Sequence, residues 1–332
     1  MKKSIVISVL IATTLLIGGC SNKVVTTSVV KESSVSTIDL SKVTLVVGDQ
    51  ANGTKTKLEV AKVLDGVPYK IQWANFQGAA PLFEAVRSGK VDTAPAGDTP
   101  VLFAAVAGVP IKIVATNISS PKSVSIIVPK KSSIKSISEL KGKTVVVSSA
   151  KGSVSEYLLI EALKEAGLTI NDVKVKYILP TDALVAFIAG EIEAWAIFDP
   201  YYSLAEVQGA KLIRDGENIN TGMSFVTASE KALADPAKVA AIKDFLERSA
   251  KATEWTNANK DEYVKVYSKL TRLDASIATS LLTRQGKQVT RPVEDEDISK
   301  LQKVADVFYE AKALPKEIDV KTIIDQSVFS SK

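Results

Sequence analysis

The chain has 332 residues, of which 24% are charged and 46% hydrophobic, and this composition excludes a long disordered or fibrous protein. Its 42 basic and 37 acidic residues leave a formal net charge of +5, without the basic cluster that indicates nucleic-acid binding. There is no histidine and one cysteine, which excludes Ser-His-Asp and Cys-His catalysis, histidine metal ligands and any intrachain disulfide. The length favours about two domains.

The N-terminal segment has the features of a secretion signal. Lys2 and Lys3 precede an apolar stretch, 5–17, that is short for a membrane span, and two glycines lead to Cys20. This order resembles the lipobox of bacterial lipoproteins, which implies that the signal peptide 1–19 is removed and that Cys20 is diacylated. The alternative is a free or core cysteine. Two acyl chains suffice for stable membrane anchoring.

The Ser-, Thr-, Val- and Lys-rich residues 20–41 carry the lipidated cysteine and are interpreted as a tether between lipid and folded body. No segment after the signal peptide is apolar for the 18 residues that a membrane span needs.

The body of the chain contains an internal duplication. Residues 85–92 match residues 186–193 at a constant offset without a gap, and Asp98 and Asp199 each stand six residues beyond. Strand-like and helical patterns alternate in both copies, which predicts an α/β fold with parallel sheets, helices on their faces and two similar lobes. From Asp235 onward the pattern is mostly helical, and these helices are expected to complete the first lobe.

Two helix N-termini are expected at the cleft between the lobes, where open α/β sheets bind ligands. One follows Gly97, with Asp98 or Thr99 as its N-cap, and the other begins at Ser153, which has capping-box spacing to Glu156. Free backbone N–H groups at such ends bind small anions. The spacing is equally compatible with residues that serve only as helix caps.

Three segments resemble the solute-binding proteins of ABC importers for aliphatic sulfonates, whose wider relatives bind nitrate, taurine or thiamine precursors. The segments are 92–100, 151–153 and 193–202. The ungapped run 194–202, Ala-Trp-Ala-Ile-Phe-Asp-Pro-Tyr-Tyr, is the most specific of them. The resemblance covers about residues 42–330.

The resemblance implies a two-lobed periplasmic-binding-protein fold of type II, with one discontinuous lobe and a cleft between the lobes. Lobe 1 would comprise residues 42–120 and 228–332, and lobe 2 residues 121–227. The chain would cross between the lobes near residues 118–125 and 223–228.

The same resemblance implies the function of a lipoprotein that captures an aliphatic sulfonate by lobe closure. It would deliver the solute to a membrane permease driven by a cytoplasmic ATPase. The protein would be a monomer without cofactor, metal or catalytic activity, lipid-anchored outside the cytoplasm. Its partners would be a small anionic solute, the permease and the membrane, but no nucleic acid.

By position, the resemblance implies a ligand pocket formed by Gln50, Gly97, Asp98, Thr99, Gly152, Ser153, Val154, Ser155, Trp195 and Asp199. Backbone N–H groups and the hydroxyls of Thr99, Ser153 and Ser155 would donate to the sulfonate oxygens. Gln50 would donate one further hydrogen bond.

Three of these residues have alternative interpretations. Trp195 would form a flat apolar wall for the carbon tail, or it is a core aromatic. Asp98 lines the pocket or is purely a helix cap. Asp199 is expected to avoid the sulfonate because like charges repel, and either caps the helix at Pro200 or binds an amine of the ligand.

The sequence departs from the family pattern at Asp49, at 51–52, at 94–96 before the glycine, and at Phe198, where a second tryptophan is common. These departures leave the solute open, and nitrate, taurine, a thiamine-precursor pyrimidine or an aromatic anion are alternatives on the same scaffold. An enzyme of the same fold and a surface adhesin or scaffold are the alternatives of a different class. The lipoprotein signal and the missing histidine disfavour the enzyme.

Overall fold

The computed structural model describes residues 38–330. The predicted signal peptide, the lipidation site Cys20 and the tether up to residue 37 therefore lie outside the described residues. Within the described range, no helix has both the length and the apolar character needed to cross a membrane.

Strands and helices alternate through most of the described chain. The strands are β1 (Thr44–Gln50), β2 (Lys70–Phe76), β3 (Thr93–Gly97), β4 (Ile111–Ile118), β5 (Val124–Val128), β6 (Thr144–Val147), β7 (Lys174–Tyr177), β8 (Ala194–Phe198), β9 (Lys211–Asp215), β10 (Met223–Ser229) and β11 (Val289–Arg291). The helices are α1 (Gly53–Val60), α2 (Ala79–Arg87), α3 (Asp98–Val106), α4 (Val154–Glu165), α5 (Pro180–Ile188), α6 (Tyr201–Val207), α7 (Glu230–Leu233), α8 (Pro236–Ala258), α9 (Lys260–Thr271), α10 (Ala275–Gln285) and α11 (Asp295–Glu310). The predicted α/β class with helix-flanked sheets is confirmed.

The strands form two sheets that share one topology. The first sheet has the order β11-β4-β10-β3-β1-β2, and the second has the order β7-β6-β8-β5-β9. Reading β1, β2, β3, β4 and β10 as the counterparts of β6, β7, β8, β9 and β5 makes the order of five strands identical. The predicted duplication is thereby confirmed at the level of structure.

Both sheets are mixed, whereas the sequence pattern predicted parallel sheets. Strand β10 runs antiparallel to β3 and β4, β5 runs antiparallel to β8 and β9, and the short edge strand β11 is antiparallel to β4. The reason lies in the path of the chain. It passes between the sheets at the carboxyl ends of β4 and β9, so the next strand, β5 or β10, starts at the cleft and runs away from it.

Two adjacent segments connect the sheets, 119–123 and 216–222. The first segment lies within the predicted range 118–125. The second lies before the predicted range 223–228, because residues 223–228 belong to β10. Phe225 of that strand is fully buried in the first sheet. The segments touch: the Ser119 N–H donates to the Gly222 carbonyl at 2.9 Å. Gly222 has φ +70°, and a Cβ there would collide with the Ser119 carbonyl oxygen. Glycine is thus required where the segments cross.

Helices cover both faces of each sheet. On the first sheet, α2, α3 and α11 pack on one face around Leu102 and Phe308, while α8 packs on the other around Leu45 and Phe245. The second sheet is covered by α4 on one face and by α5 and α6 on the other. The Asp235 carboxylate caps the long helix α8 by accepting from two backbone N–H groups of its first turn. These layers hold the strand ends that face the cleft.

Candidate ligand-binding site

Two cavities lie in the cleft between the sheets. The larger has a volume of about 500 Å³ and the smaller about 350 Å³. Gln50, Gly97, Ser119, Phe198 and Ser224 line both. These residues stand at the ends of strands that face the cleft, which is where ligands bind in open α/β sheets.

The larger cavity contains most of the predicted site residues. Gln50, Gly97, Asp98, Gly152, Ser153 and Val154 belong to its lining. Much of the remaining wall is apolar and comes from α2, α3, the loop after α3, the end of β8 and the start of β10. Its side chains include Phe83, Phe103, Val109, Phe198 and Met223. The cavity therefore combines a polar end with an apolar body.

The first lining element is the start of α3. Gly97 is its N-cap, so Asp98 and Thr99 are helical residues, contrary to the sequence prediction that one of them is the N-cap. A Cβ at Gly97 would stand 2.7 Å from Val154 Cγ1, so the absence of a side chain lets α3 and α4 approach each other. Gln50 Nε2 donates to the Pro95 carbonyl at 2.9 Å beside this turn.

Asp98 is almost fully buried at this helix start. Its carboxylate accepts from the Thr99 N–H at 2.7 Å and from the hydroxyl of Thr221, which belongs to the segment 216–222. Burial raises the pKa of Asp98 to about 6, although the hydrogen bonds from Thr221 and Thr99 oppose this shift. Asp98 is therefore more than a local helix cap, because it ties α3 to a connection between the sheets.

The second lining element is the start of α4. The Ser153 hydroxyl accepts from the Glu156 N–H at 3.2 Å, as the predicted capping box requires. The Glu156 carboxylate instead accepts from the N–H of Gly152, one residue before the N-cap, and from the Tyr177 hydroxyl. Gly152 has φ +82°, and a Cβ there would collide with the ring of Phe103.

Buried carboxylates of the chain itself occupy the helix starts at the cleft. Asp49 accepts from the N–H groups of Thr54 and Lys55 at 3.0 and 2.8 Å. Asp98 and Glu156 do the same at α3 and α4. The prediction that the N-termini of α3 and α4 offer wholly free N–H groups to an anion is therefore wrong for these donors. Each acid satisfies orphan donors and complements the helix dipole.

Two hydroxyls at the same helix starts have no hydrogen-bond partner among the described residues. Thr99 Oγ1 and Ser155 Oγ are buried in side chains that are fully inaccessible to solvent. Neither residue belongs to the cavity lining, so both lie just behind it. A buried hydroxyl without a hydrogen-bond partner lowers the stability of a protein by about 1–3 kcal/mol. Both oxygens are therefore candidates for a contact with ligand. Their role in binding stays a prediction.

Trp195 lies outside both cavity linings. It is fully buried in β8, where its ring packs 5.5 Å from that of Phe187 and its Nε1 donates to Ser148 Oγ at 2.8 Å. The structure thus places it as a core aromatic and not as the predicted wall for a carbon tail, because its side chain points to the α5 and α6 face of the sheet. Phe198, three residues later at the end of the same strand, lines both cavities instead.

Asp199 lies in the lining of the smaller cavity. Its carboxylate accepts from the Ser203 N–H at 3.0 Å, as expected for a capping role, and forms an ion pair with Arg284 at 3.0 Å. Burial raises the pKa of Asp199, although Arg284 opposes this shift. Arg284 also contacts Glu206 at 2.6 Å and lies 3.9 Å from the centre of the Tyr202 ring.

The sequence analysis did not predict a role for two residues at the cleft. One is Arg284, and the other is Lys57, which lines the smaller cavity. Neither belongs to a local motif, because their partners lie far away in the chain. Among residues 38–330, no group of three or more histidine, cysteine or acidic side chains is placed to hold a metal ion.

Comparisons with known proteins agree with this geometry. The model of the NMT1/THI5-like family matches residues 76–263. A protein of Escherichia coli strain K12 named for binding aliphatic sulfonates is 34% identical over 259 residues, or 77% of this chain and 80% of that protein.

Two solved structures have the same fold. The alkanesulfonate-binding protein SsuA from Xanthomonas axonopodis pv. citri, bound to MOPS, matches with a TM-score of 0.78 at 30% identity, over 85% of this chain and 98% of that one. The periplasmic aliphatic sulphonate-binding protein SsuA from Escherichia coli matches with a TM-score of 0.74 at 32% identity, over 86% and 98%. The predicted periplasmic-binding-protein fold is thereby confirmed. The chain belongs to the NMT1/THI5-like family and, within it, to the group of aliphatic sulfonate-binding proteins.

Proposed function

We propose that this protein is the extracytoplasmic solute-binding component of an ABC importer and that it captures an aliphatic sulfonate in the cleft. Its membership of the family supports the transport role. The lipid on Cys20 would anchor a monomer to the membrane outside the cytoplasm and keep it near the permease, which raises the effective concentration of the pair.

The larger cavity is the observation that carries the choice of solute. Its volume of about 500 Å³ lies in the range of organic-ligand pockets. Phe83, Phe103 and Met223 give it an apolar body that an alkyl chain would fill, whereas nitrate or sulfate would leave this surface unused. An alkyl tail with one anionic end matches this division into apolar body and polar end.

The sulfonate would bind at the polar end, between the starts of α3 and α4. Neutral donors would be supplied there by Ser153, which belongs to the lining, and by the unpaired hydroxyls of Thr99 and Ser155 just behind it. Asp98 stands beside them with a pKa of about 6, and an incoming anion would raise that pKa further. A protonated Asp98 would donate to the sulfonate instead of repelling it.

We further propose that the predicted ranges, 42–120 with 228–332 and 121–227, move as two lobes. The segments 119–123 and 216–222 would be the hinges, because each is short and lies between the sheets. In the closed state α3 and α4 would lie against each other around the solute, as they do in this structure, and closure would create the surface that the permease recognises.

Isothermal titration of the purified protein with methane- to octanesulfonate tests the proposed function. Each methylene buried in the cavity adds about 0.8 kcal/mol, so affinity should rise about fourfold per carbon until the cavity is full. Taurine, nitrate, sulfate and a thiamine-precursor pyrimidine serve as comparison ligands. Binding of one of these alone would replace the sulfonate. Absence of binding across the whole series would contradict the capture of these solutes.

The double variant Thr99→Ala and Ser153→Ala tests the position of the sulfonate. We expect at least about tenfold weaker binding because two donors are lost. The lobes should stay folded, since a lost cap costs about 1 kcal/mol. Ser88→Ala, an exposed hydroxyl at the end of α2, is the control. Unchanged affinity in the double variant would remove the helix starts from the site.

A further inference from the structure

The smaller cavity differs in character from the larger one. It lies on the side of Gln50 and Gly97 that faces α1, α9 and α10, and polar side chains form much of its wall. Lys57, Tyr263, Tyr267, Gln288 and Thr290 are among them. A cavity of about 350 Å³ that carries several polar side chains, beside a more apolar one, suits a ligand group that forms hydrogen bonds.

Lys57 is the one basic side chain in this lining among the residues that the structure describes. Its Nζ donates to Gln288 Oε1 at 2.6 Å, and within the described range no carboxylate forms an ion pair with it. Burial lowers the pKa of Lys57 to about 8, and the nearby charge of Asp49 opposes this shift only in part. An enclosed ammonium group gains from an anionic partner, since desolvation of an unpaired charge is unfavourable.

The acidic residues of the same lining do not provide that partner. The Asp49 carboxylate accepts from the N–H groups of Gln50, Thr54 and Lys55 at the start of α1. The Asp199 carboxylate is paired with Arg284. Neither carboxylate therefore forms an ion pair with Lys57, and the nearby charge of Asp49 offsets that of the ammonium group only in part.

The two cavities meet at shared residues. Gln50, Gly97 and Phe198 belong to both linings, so the two cavities adjoin at the start of α3. We propose that the smaller cavity is a second subsite in which Lys57 binds an anionic group at the far end of the solute. The chain of such a solute would run from the start of α3 into the smaller cavity, whereas a plain alkyl tail would fill the apolar body of the larger one. The substrate class would then be sulfonates that carry a second acidic group, such as ω-carboxyalkanesulfonates. This inference rests on the proposed function.

The experiment compares alkanesulfonates of three to six carbons with their ω-carboxy derivatives, by calorimetry on the wild-type protein and on Lys57→Met. We expect the carboxylate to raise wild-type affinity about tenfold or more at the best chain length, and Lys57→Met to lose this gain. Affinity for the plain sulfonates should change less than about twofold. Lys55→Met is the matched control, because this lysine of the same helix pairs with Glu59 at the surface.

A second measurement keeps the test valid if the variant folds poorly. Titrations of the wild-type protein at pH 8 in buffers of different ionisation enthalpy should show proton uptake with the ω-carboxy ligand, because an anion at Lys57 raises its pKa. Plain sulfonates should cause less uptake. The other titratable side chains in the same lining are Asp49, Asp199, Tyr201, Tyr263 and Tyr267, and among them the charge of Asp49 acts on Lys57.

The outcomes separate the two proposals. Binding of plain sulfonates without a gain from the carboxylate, or a gain that persists in Lys57→Met, would overturn the second subsite and leave the proposed function intact. Failure of the wild-type protein to bind either ligand series would overturn both.

Discussion

Asp98 and Asp199 occupy the same place in the two halves of the duplication, directly after β3 and β8. Asp98 has neutral partners, the Thr99 N–H and the Thr221 hydroxyl. Asp199 has the ion pair with Arg284. Both partner side chains come from outside the duplicated unit. The repeated scaffold therefore fixes where a carboxylate stands, whereas later segments of the chain decide its charge state and its role.

Replacement of Arg284 should give the largest loss of stability, because it would remove the ion pair that distinguishes Asp199 from Asp98. Arg284→Met leaves the Asp199 carboxylate, which is almost fully buried, without a cation and also removes the partner of Glu206. We expect a loss of about 3–5 kcal/mol in the free energy of unfolding, measured with urea. Arg87→Met, in an exposed pair with Glu84, should lose less than about 1 kcal/mol. Similar losses in both variants would show that the buried ion pair contributes no more to stability than the exposed pair.

Removal of the charge on Asp98 should give an effect that depends on pH. Its pKa is about 6 in the folded protein and near 3.8 when unfolded, so the folded state binds more protons between these values. The free energy of unfolding of the wild-type protein should therefore fall by about 2–3 kcal/mol as pH rises from 4 to 7, relative to Asp98→Asn.

Urea unfolding of both proteins at pH 4, 5, 6 and 7 measures this difference. The sharpest control is Asp199→Asn, which leaves Arg284 without its main partner. This variant should have a lower free energy of unfolding than wild type at neutral pH, whereas Asp98→Asn should have a higher one. Parallel curves for wild type and Asp98→Asn would contradict the raised pKa.

Two glycines extend the comparison with a smaller effect. Gly53 and Gly152 precede the hydroxyl residues at the starts of α1 and α4. Gly152 has a positive φ and faces the Phe103 ring, whereas a Cβ at Gly53 would meet no atom within 4 Å. Gly152→Ala should lower the free energy of unfolding by about 2 kcal/mol. Gly53→Ala should leave it unchanged or raise it by up to about 1 kcal/mol. Thermal unfolding of both variants suffices, and equal shifts would refute the difference.

Local patterns predicted the features that depend on neighbouring residues. The repeat, the C-terminal helices and the cap at Ser153 follow from periodicity and spacing, and the structure contains them. The reversed strands were missed, because their direction depends on where the chain crosses between sheets. The side-chain positions of Trp195 and Lys57 depend on which face of a packed element is enclosed, and no local pattern encodes that.

The long-range partners of the cleft acids could not be derived either. Arg284 reaches Asp199 across 85 residues, and Lys57 reaches Gln288 across 231. An arginine in an amphipathic helix has the pattern of a solvated residue, and only the packing of α10 against α6 turns it into the partner of a buried acid. The prediction of free N–H groups was wrong for a different reason, because acids close in sequence to each helix start accept hydrogen bonds from these donors.

Strand β10 lies in the middle of the first sheet, between β3 and β4, although the whole second sheet intervenes in the sequence. The second sheet is continuous in the chain, from β5 to β9, and depends on no later strand. During synthesis it can therefore assemble while the first sheet still lacks a central member. The late arrival of β10 makes completion of the first sheet a long-range step, with the loop-closure entropy that such steps require. The second sheet can thus be complete before the first, although the first begins earlier along the chain.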